Sequence, residues 1–282
     1  MDSAPNDQQI EYWNNGVGRT WVKFQAGLDH QLAPIGRRAL DALEPAPGER
    51  ILDVGCGAGA TTLEIAAAVG RSGAVTGVDI SEPLLEAARA RPLPERAVRP
   101  DFLAADAQVH PFESGGFDAV FSRFGVMFFD DPGAAFANLR RATRLGGRLA
   151  FACWRSPAEN PWMSLPLRAC EGLVEAPPPT PPDAPGPFAF ADAGRLRAIV
   201  TGARWRDFAA EAFDTTIGGG GLDDSARLMT RVGPLGAALR EAGAERDLIA
   251  AAEARVRDAL EPWLVDGEVR VPSAVWIVTA RA

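Results

Sequence analysis

Three glycines alternate with other residues in ILDVGCGAGA at 51–60, and an aspartate, Asp53, stands two places before the first of them. Gly55, Gly57 and Gly59 give this stretch too much backbone freedom for a good helix or strand, so something must approach the main chain closely. Two further aspartates stand where predicted strands end, Asp79 in VTGVDIS and Asp106 in AADAQ. A carboxylate so placed can accept two hydrogen bonds, which suits a diol or an amine. The glycine turn opens onto a helix, whose free N–H groups and partial positive charge attract an anionic group.

Side chains that could move protons or attack are few. The only histidines are His30 and His110, and Tyr12 is the only tyrosine. Each is a candidate base, with a plain alternative: His30 as a residue at a helix start, His110 as a loop residue near the sheet edge. Cys56, Cys153 and Cys170 are too scattered for a disulfide framework or a zinc site. No metal is expected. Cys56 reads as a small residue filling a tight turn.

These residues need elements to hold them. ERILDV, GAVTGVDI, VRPDFLAAD, FDAVFS and GGRLAFACW read as strands. ATTLEIAAAV, EPLLEAARA and DPGAAFANLRRATRL read as the helices between them, with Ser81 and Asp130 or Asp131 as caps. Strand and helix in alternation predict a doubly wound, mostly parallel sheet covered on both faces. Before it, DHQLAPIGRRALDAL at 29–43 is a predicted helix. After it come a helical segment at 156–173, a proline-rich connection at 176–187 and a helix at 190–203 capped by Asp192. A strand at 204–217, a glycine joint at 218–221, two or three helices over 222–262 and a final strand at 268–282 complete the chain. The division expected is a helical lid over 1–45, a cofactor-binding core over 46–154, and over 155–282 the rest of the sheet with inserted cap helices.

The 282 residues carry a net charge of −8, and every cation but Lys23 is an arginine spread among acids. No basic stripe suits a nucleic acid, so a small-molecule partner is expected. No apolar run is long enough to span a bilayer. The polar, acidic start is unlike a secretory signal. Location in the cytoplasm is expected, and oligomeric state is not legible.

Gly55, Gly57 and Ala60, with Asp79 further on, also satisfy the loose pattern of a dinucleotide fold. Against it stand Asp53, which would oppose a pyrophosphate, the extra Gly59, and Asp106. A phosphate loop is ruled out by the lack of Gly-Lys-Ser/Thr. ILDVGCGAGATTLEIA, VTGVDIS, FLAADAQVHPF, FDAVFSRFGVMFF and LGGRLAFACW, in that order, resemble the motifs of class I S-adenosylmethionine-dependent methyltransferases. The similarity is to the small-molecule branch that includes the ubiquinone and menaquinone biosynthesis enzymes, and it covers about residues 50–154.

The resemblance implies a Rossmann-like, seven-stranded sheet with its last strand antiparallel between the fifth and sixth. It implies S-adenosylmethionine as cofactor and S-adenosylhomocysteine as product. Asp53 would meet the ammonium of the methionine moiety, directly or through water. Gly55, Gly57 and Gly59, with Cys56 in the same turn, would form the floor, and Asp79 would take both ribose hydroxyls. Ile80 would pack on the adenine, Asp106 would receive its amino group with Ala107 alongside, and Ser122 and Arg123 would border the methyl group. Trp13 and Trp21 join Tyr12 in an aromatic N-terminal segment that either anchors a helix or forms a lid over cofactor and acceptor, in which case Trp13 and Trp21 would be cofactor-binding residues with an aromatic face near the sulfonium. Arg123, Phe124, Met127, Phe128, Trp162 and Met163 would line a pocket for a hydrophobic or aromatic acceptor. Competing readings are a non-catalytic binder of the same cofactor and a nicotinamide-dependent oxidoreductase.

Overall fold

The computed structural model describes residues 5–178, 181–218 and 220–282. Gly219 of the expected glycine joint, Pro179 and Thr180 of the proline-rich connection, and the first four residues lie outside the described residues. The chain opens with α1 (Asp7–Tyr12), a kink at Trp13–Val17 where Asn15 and Gly16 leave helical geometry, α2 (Gly18–Lys23) and α3 (Gln25–Leu43). α3 begins a turn earlier than the predicted 29–43. Its buried side chains Leu28, Leu32, Ile35, Ala39 and Leu43 recur every three or four residues, one stripe facing the sheet.

Strand and helix then alternate: β1 (Arg50–Val54), α4 (Ala60–Val69), β2 (Ala74–Asp79), α5 (Glu82–Ala90), β3 (Asp101–Ala104), β4 (Phe117–Arg123), α6 (Pro132–Ala142) and β5 (Thr143–Trp154). α7 (Pro161–Ala169), α8 (Ala193–Gly202), β6 (Arg206–Gly218), α9 (Leu222–Met229), α10 (Gly233–Glu241) and α11 (Arg246–Leu260) follow. The two-residue β7 (Leu264–Val265) and β8 (Glu268–Arg281) close the chain. The main sheet runs β3-β2-β1-β4-β5-β8-β6, with β7 paired only to β8. β8 lies antiparallel between β5 and β6, and β1 to β5 pair in parallel. The order reverses between β1 and β4, which opens a crevice at the carboxyl ends of those strands.

Three local expectations change. β3 occupies 101–104 rather than the whole of 98–106, because Pro100 has no N–H to give a ladder. α6 stops at Ala142, and Thr143 already pairs with Phe117 in the sheet. Asp131 caps α6 by accepting from the Ala134 N–H, whereas Asp130 turns away from it to Asn6. The Ser81 side chain does not cap α5: its Oγ donates to the Trp13 carbonyl, 3.1 Å away. The Glu82 N–H at that helix start is taken instead by Asn14 Oδ1 from the N-terminal segment.

The helical segment before β1 is thus fastened to the strand ends. Asn14 also donates to the Ile80 carbonyl at 2.8 Å. Arg91 donates to the Ala58 carbonyl in the glycine turn and to Asp29 on α3. At the far end of α3, Arg148 on β5 donates to the Leu43 and Glu44 carbonyls and grips Glu49 with two nitrogens. That fork satisfies C-terminal carbonyls of the helix and holds the Glu49 carboxyl below its ordinary range.

Candidate active site

β1 ends at Val54, and Gly55, Gly57 and Gly59 all adopt left-handed backbone conformations before α4 begins. The three have different reasons for lacking a side chain. A Cβ on Gly55 would lie 2.5 Å from the Cα of Gly125, in the loop after β4. A Cβ on Gly59 would strike Ala88 and Phe102 under the turn. Gly57 meets nothing on that side, and its N–H donates to Asp79 Oδ2 at 2.8 Å.

Three carboxylates stand around this turn in three environments. Asp79, at the end of β2, accepts from Gly57 through Oδ2 and from the Ser81 N–H through Oδ1, with lone pairs left on both oxygens. Burial raises its pKa against these backbone bonds. Asp106, beyond β3, accepts two N–H groups on Oδ1, from Asn6 and Gln108, while its buried Oδ2 has no partner. Asp53 is wholly enclosed beneath the turn. The Thr61 and Thr62 hydroxyls donate to its Oδ2, and its Oδ1 is unpaired. Burial pushes its pKa up to about 6 despite these bonds and the nearby Arg123.

A cavity of about 520 Å³ lies over the turn, between the strand ends, the N-terminal helices and the helices after β5 and β6. Its polar end is formed by Gly55, Cys56, Gly57, Asp79, Ile80, Asp106 and Ala107. Two groups of rings make up much of the rest of the lining. Phe124 stacks on Trp154 with centroids 4.0 Å apart and planes 9° from parallel, and Trp162 leans on Trp154 at 5.0 Å. Trp13 meets both Trp21 and Phe128 edge-on, at 5.3 and 5.7 Å. Phe124 is held at φ 65°, a left-handed conformation that a bulky residue rarely adopts. Met127 and Met163 complete the lining from the sequence-predicted set.

Several expected residues stand elsewhere. Asp53, Gly59 and Ser122 do not line the cavity. Asp53 is held under the floor by its threonines, and Gly59 packs beneath the turn. The Ser122 Oγ is spent donating to the Val54 carbonyl and accepting from the Gly125 N–H. His30 is exposed on α3, and His110 packs against Phe112 at 4.6 Å; neither reaches the cavity. Tyr12 does line it. The Cys56 thiol is buried, with its pKa pushed well up, which leaves it inert as a nucleophile. Arg123 lines the cavity while its side chain packs beside Gly36 of α3 and Thr61 of α4, near Asp29, Asp53 and Glu64. Sequence reasoning missed Asn6, Gln31, Trp154 and Arg240, all in the lining. Only Trp154, at the end of a predicted strand beside the others, carried a signal that could have found it. Among the described residues no group of three or more His, Cys, Asp or Glu could hold a metal ion.

Residues 52–151 match the methyltransferase domain family. The match takes in about a third of the chain. The chain is 40% identical over 119 residues to aklanonic acid methyltransferase DauC of Streptomyces sp. (strain C5), which covers 42% of this chain and 54% of that protein. It is 35% identical over 169 residues to demethylmenaquinone methyltransferase of Beutenbergia cavernae, 58% of this chain and 65% of that one. The chain spans about half the length of the first curated relatives it matches. Phosphoethanolamine N-methyltransferase 2 of Haemonchus contortus, solved in complex with S-adenosyl-L-methionine, superposes with a TM-score of 0.54 at 17% identity, over 88% of this chain and 52% of that one. At that identity the likeness is one of fold. The stretch similar to that family, 52–151, carries the strands and turns around the polar end of the cavity. The aromatic end draws also on residues outside it.

Proposed function

We propose that this protein transfers a methyl group from S-adenosylmethionine to a small hydrophobic or aromatic molecule. One observation carries the reading: the buried Asp106 Oδ2 has no partner, at the same end of the cavity where Asp79 keeps free lone pairs. A buried unpaired carboxylate oxygen is costly, and a ligand N–H would relieve it. Asp106 would hold the adenine amino group, Asp79 the ribose diol, and the main chain at Gly55 and Gly57 would lie against the rest of the cofactor. Asp53 would favour the cofactor's ammonium group by its charge from under the floor. The cofactor supplies an electrophilic methyl group on a sulfonium.

The chain's own work is then alignment and exclusion of water, which can be worth roughly 7–11 kcal/mol. No histidine lines the cavity among the described residues. This suits an acceptor that reaches the site as a free amine or already ionised. The lid over residues 1–45, the core over 46–154 and the cap over 155–282 divide the labour: the lid helices and the cap close the aromatic end, and the core holds the cofactor.

Thermal unfolding with S-adenosylmethionine, S-adenosylhomocysteine and NADH tests the reading on the wild type and Asp79→Ala. Ligand at a hundred times its dissociation constant should raise the midpoint by about 5–10 °C. The rise is expected with the two adenosyl compounds alone and should vanish in Asp79→Ala. A rise with NADH only, or with none of the three, would overturn it.

A further inference from the structure

We propose that Asn6 is the positioning residue that makes Asp106 selective for an amino group, so that the segment ahead of α1 takes part in choosing the cofactor. The proposal rests on the methyltransferase reading of the cavity. Asn6 is 3% exposed and adopts the left-handed conformation, at φ 58° and ψ 14°, which asparagine tolerates better than other residues with a side chain. Its backbone N–H donates to Asp130 Oδ2 at 2.6 Å, and its Oδ1 accepts from the Asp130 N–H at 2.7 Å. This exchange fixes which end of the amide is which. The Nδ2 group is left facing Asp106 Oδ1, to which it donates at 2.9 Å.

The Gln108 N–H donates to the same Oδ1 at 2.8 Å, and Gln108 Oε1 is itself held by the Asp131 N–H. Asp106 therefore cannot rotate without losing two donors. Its Oδ2 is presented as a fixed, buried acceptor with no partner in the protein. Asn6 and Asp106 both line the cavity. A site with one unsatisfied acceptor rewards a ligand N–H there and penalises a ligand without one. Without Asn6, one of the two locks on Oδ1 is lost, the carboxylate can turn toward water, and the discrimination falls.

The test compares S-adenosylhomocysteine with its 6-deamino analogue, in which C6 of the purine carries hydrogen, by calorimetric titration. The wild type should bind the adenosyl compound about 30-fold more tightly. Asn6→Gly keeps the left-handed backbone and removes only the side chain. It should bind S-adenosylhomocysteine about tenfold more weakly and the analogue almost unchanged, reducing the ratio to a few-fold. Asn6→Asp, which replaces the donor by an acceptor, should do the same. Equal weakening of both ligands, or an unchanged ratio in both variants, would show that Asn6 only fastens the lid and would overturn the proposal alone. Failure of the wild type to bind S-adenosylhomocysteine would overturn the methyltransferase reading and this inference with it. Unfolding midpoints without ligand, expected to fall by no more than a few degrees for the lost bonds to Asp130 and Asp106, separate a lost contact from a lost fold.

Discussion

The two ends of the cavity are built by opposite means. The polar end comes from three short turns, at 55–59, 79–82 and 105–108, each following a strand, and its working parts are backbone groups and carboxylates. The aromatic end gathers rings from positions 13, 21, 124, 128, 154 and 162 and adds aliphatic residues from α9 and the stretch before α10. Main-chain geometry at the polar end leaves little to change without loss. Side chains at the aromatic end are held by packing, which tolerates exchange of one shape for another of similar volume.

The sharpest way to break this contrast is Gly125→Ala. The new Cβ would stand 2.6 Å from the Val54 carbonyl oxygen and 2.7 Å from Gly55 Cα, both main-chain atoms that cannot step aside. Chemical denaturation should show a loss of about 3 kcal/mol, the upper range for overpacking, together with loss of adenosyl binding. A smaller effect belongs to Asp53. Its folded pKa, about 6, lies above the ordinary aspartate value of 3.8, so the folded protein holds that proton more tightly than the unfolded chain. The stability gained from the protonated carboxyl is full below pH about 4 and is lost as pH rises through about 6. Relative to Asp53→Asn, the wild type should lose on the order of 2–3 kcal/mol between pH 4 and 8. Paired denaturation curves across that range check the sign; a flat difference would contradict the burial argument. The smallest effect on the fold should come from Trp162→Ala at the other end. Trp162 is half-buried, so stability should drop by about 1 kcal/mol and binding of S-adenosylhomocysteine should stay within twofold. Methylation of aromatic amines or phenols should need about tenfold more acceptor, as measured by initial rates.

The same contrast explains what could be read from the sequence. Turns built from glycine and aspartate at strand ends announce themselves, because those residue types tolerate left-handed backbone or accept main-chain N–H groups. The glycine turn and the aspartates at the strand ends were legible for that reason; the parallel sheet was legible from strand and helix alternation, and its antiparallel last strand only from the resemblance to class I methyltransferases. Asn6 was not, since its role depends on a partner a hundred positions away and on a left-handed backbone that local pattern does not reveal. Gly125 reads as an ordinary loop glycine until its contact with Gly55 is seen. The reading of Ser81 as a cap used sound local chemistry, but Asn14 supplies the bond from another element and frees the serine to hold Trp13. The histidines drew attention as rare titratable residues; rarity gives no position, and both lie away from the cavity.

The approach of Gly55 to Gly125 has a consequence for how such a protein can diversify. The two positions touch across 70 residues of chain, and enlarging either one is blocked by the backbone of the other. Neither can drift alone, so the glycine turn is closed to gradual change. Phe124, next to Gly125, already faces the ring wall. One loop thus joins a fixed position to a variable one. Lineages of this fold can exchange rings along the cavity wall while inheriting the glycine turn intact.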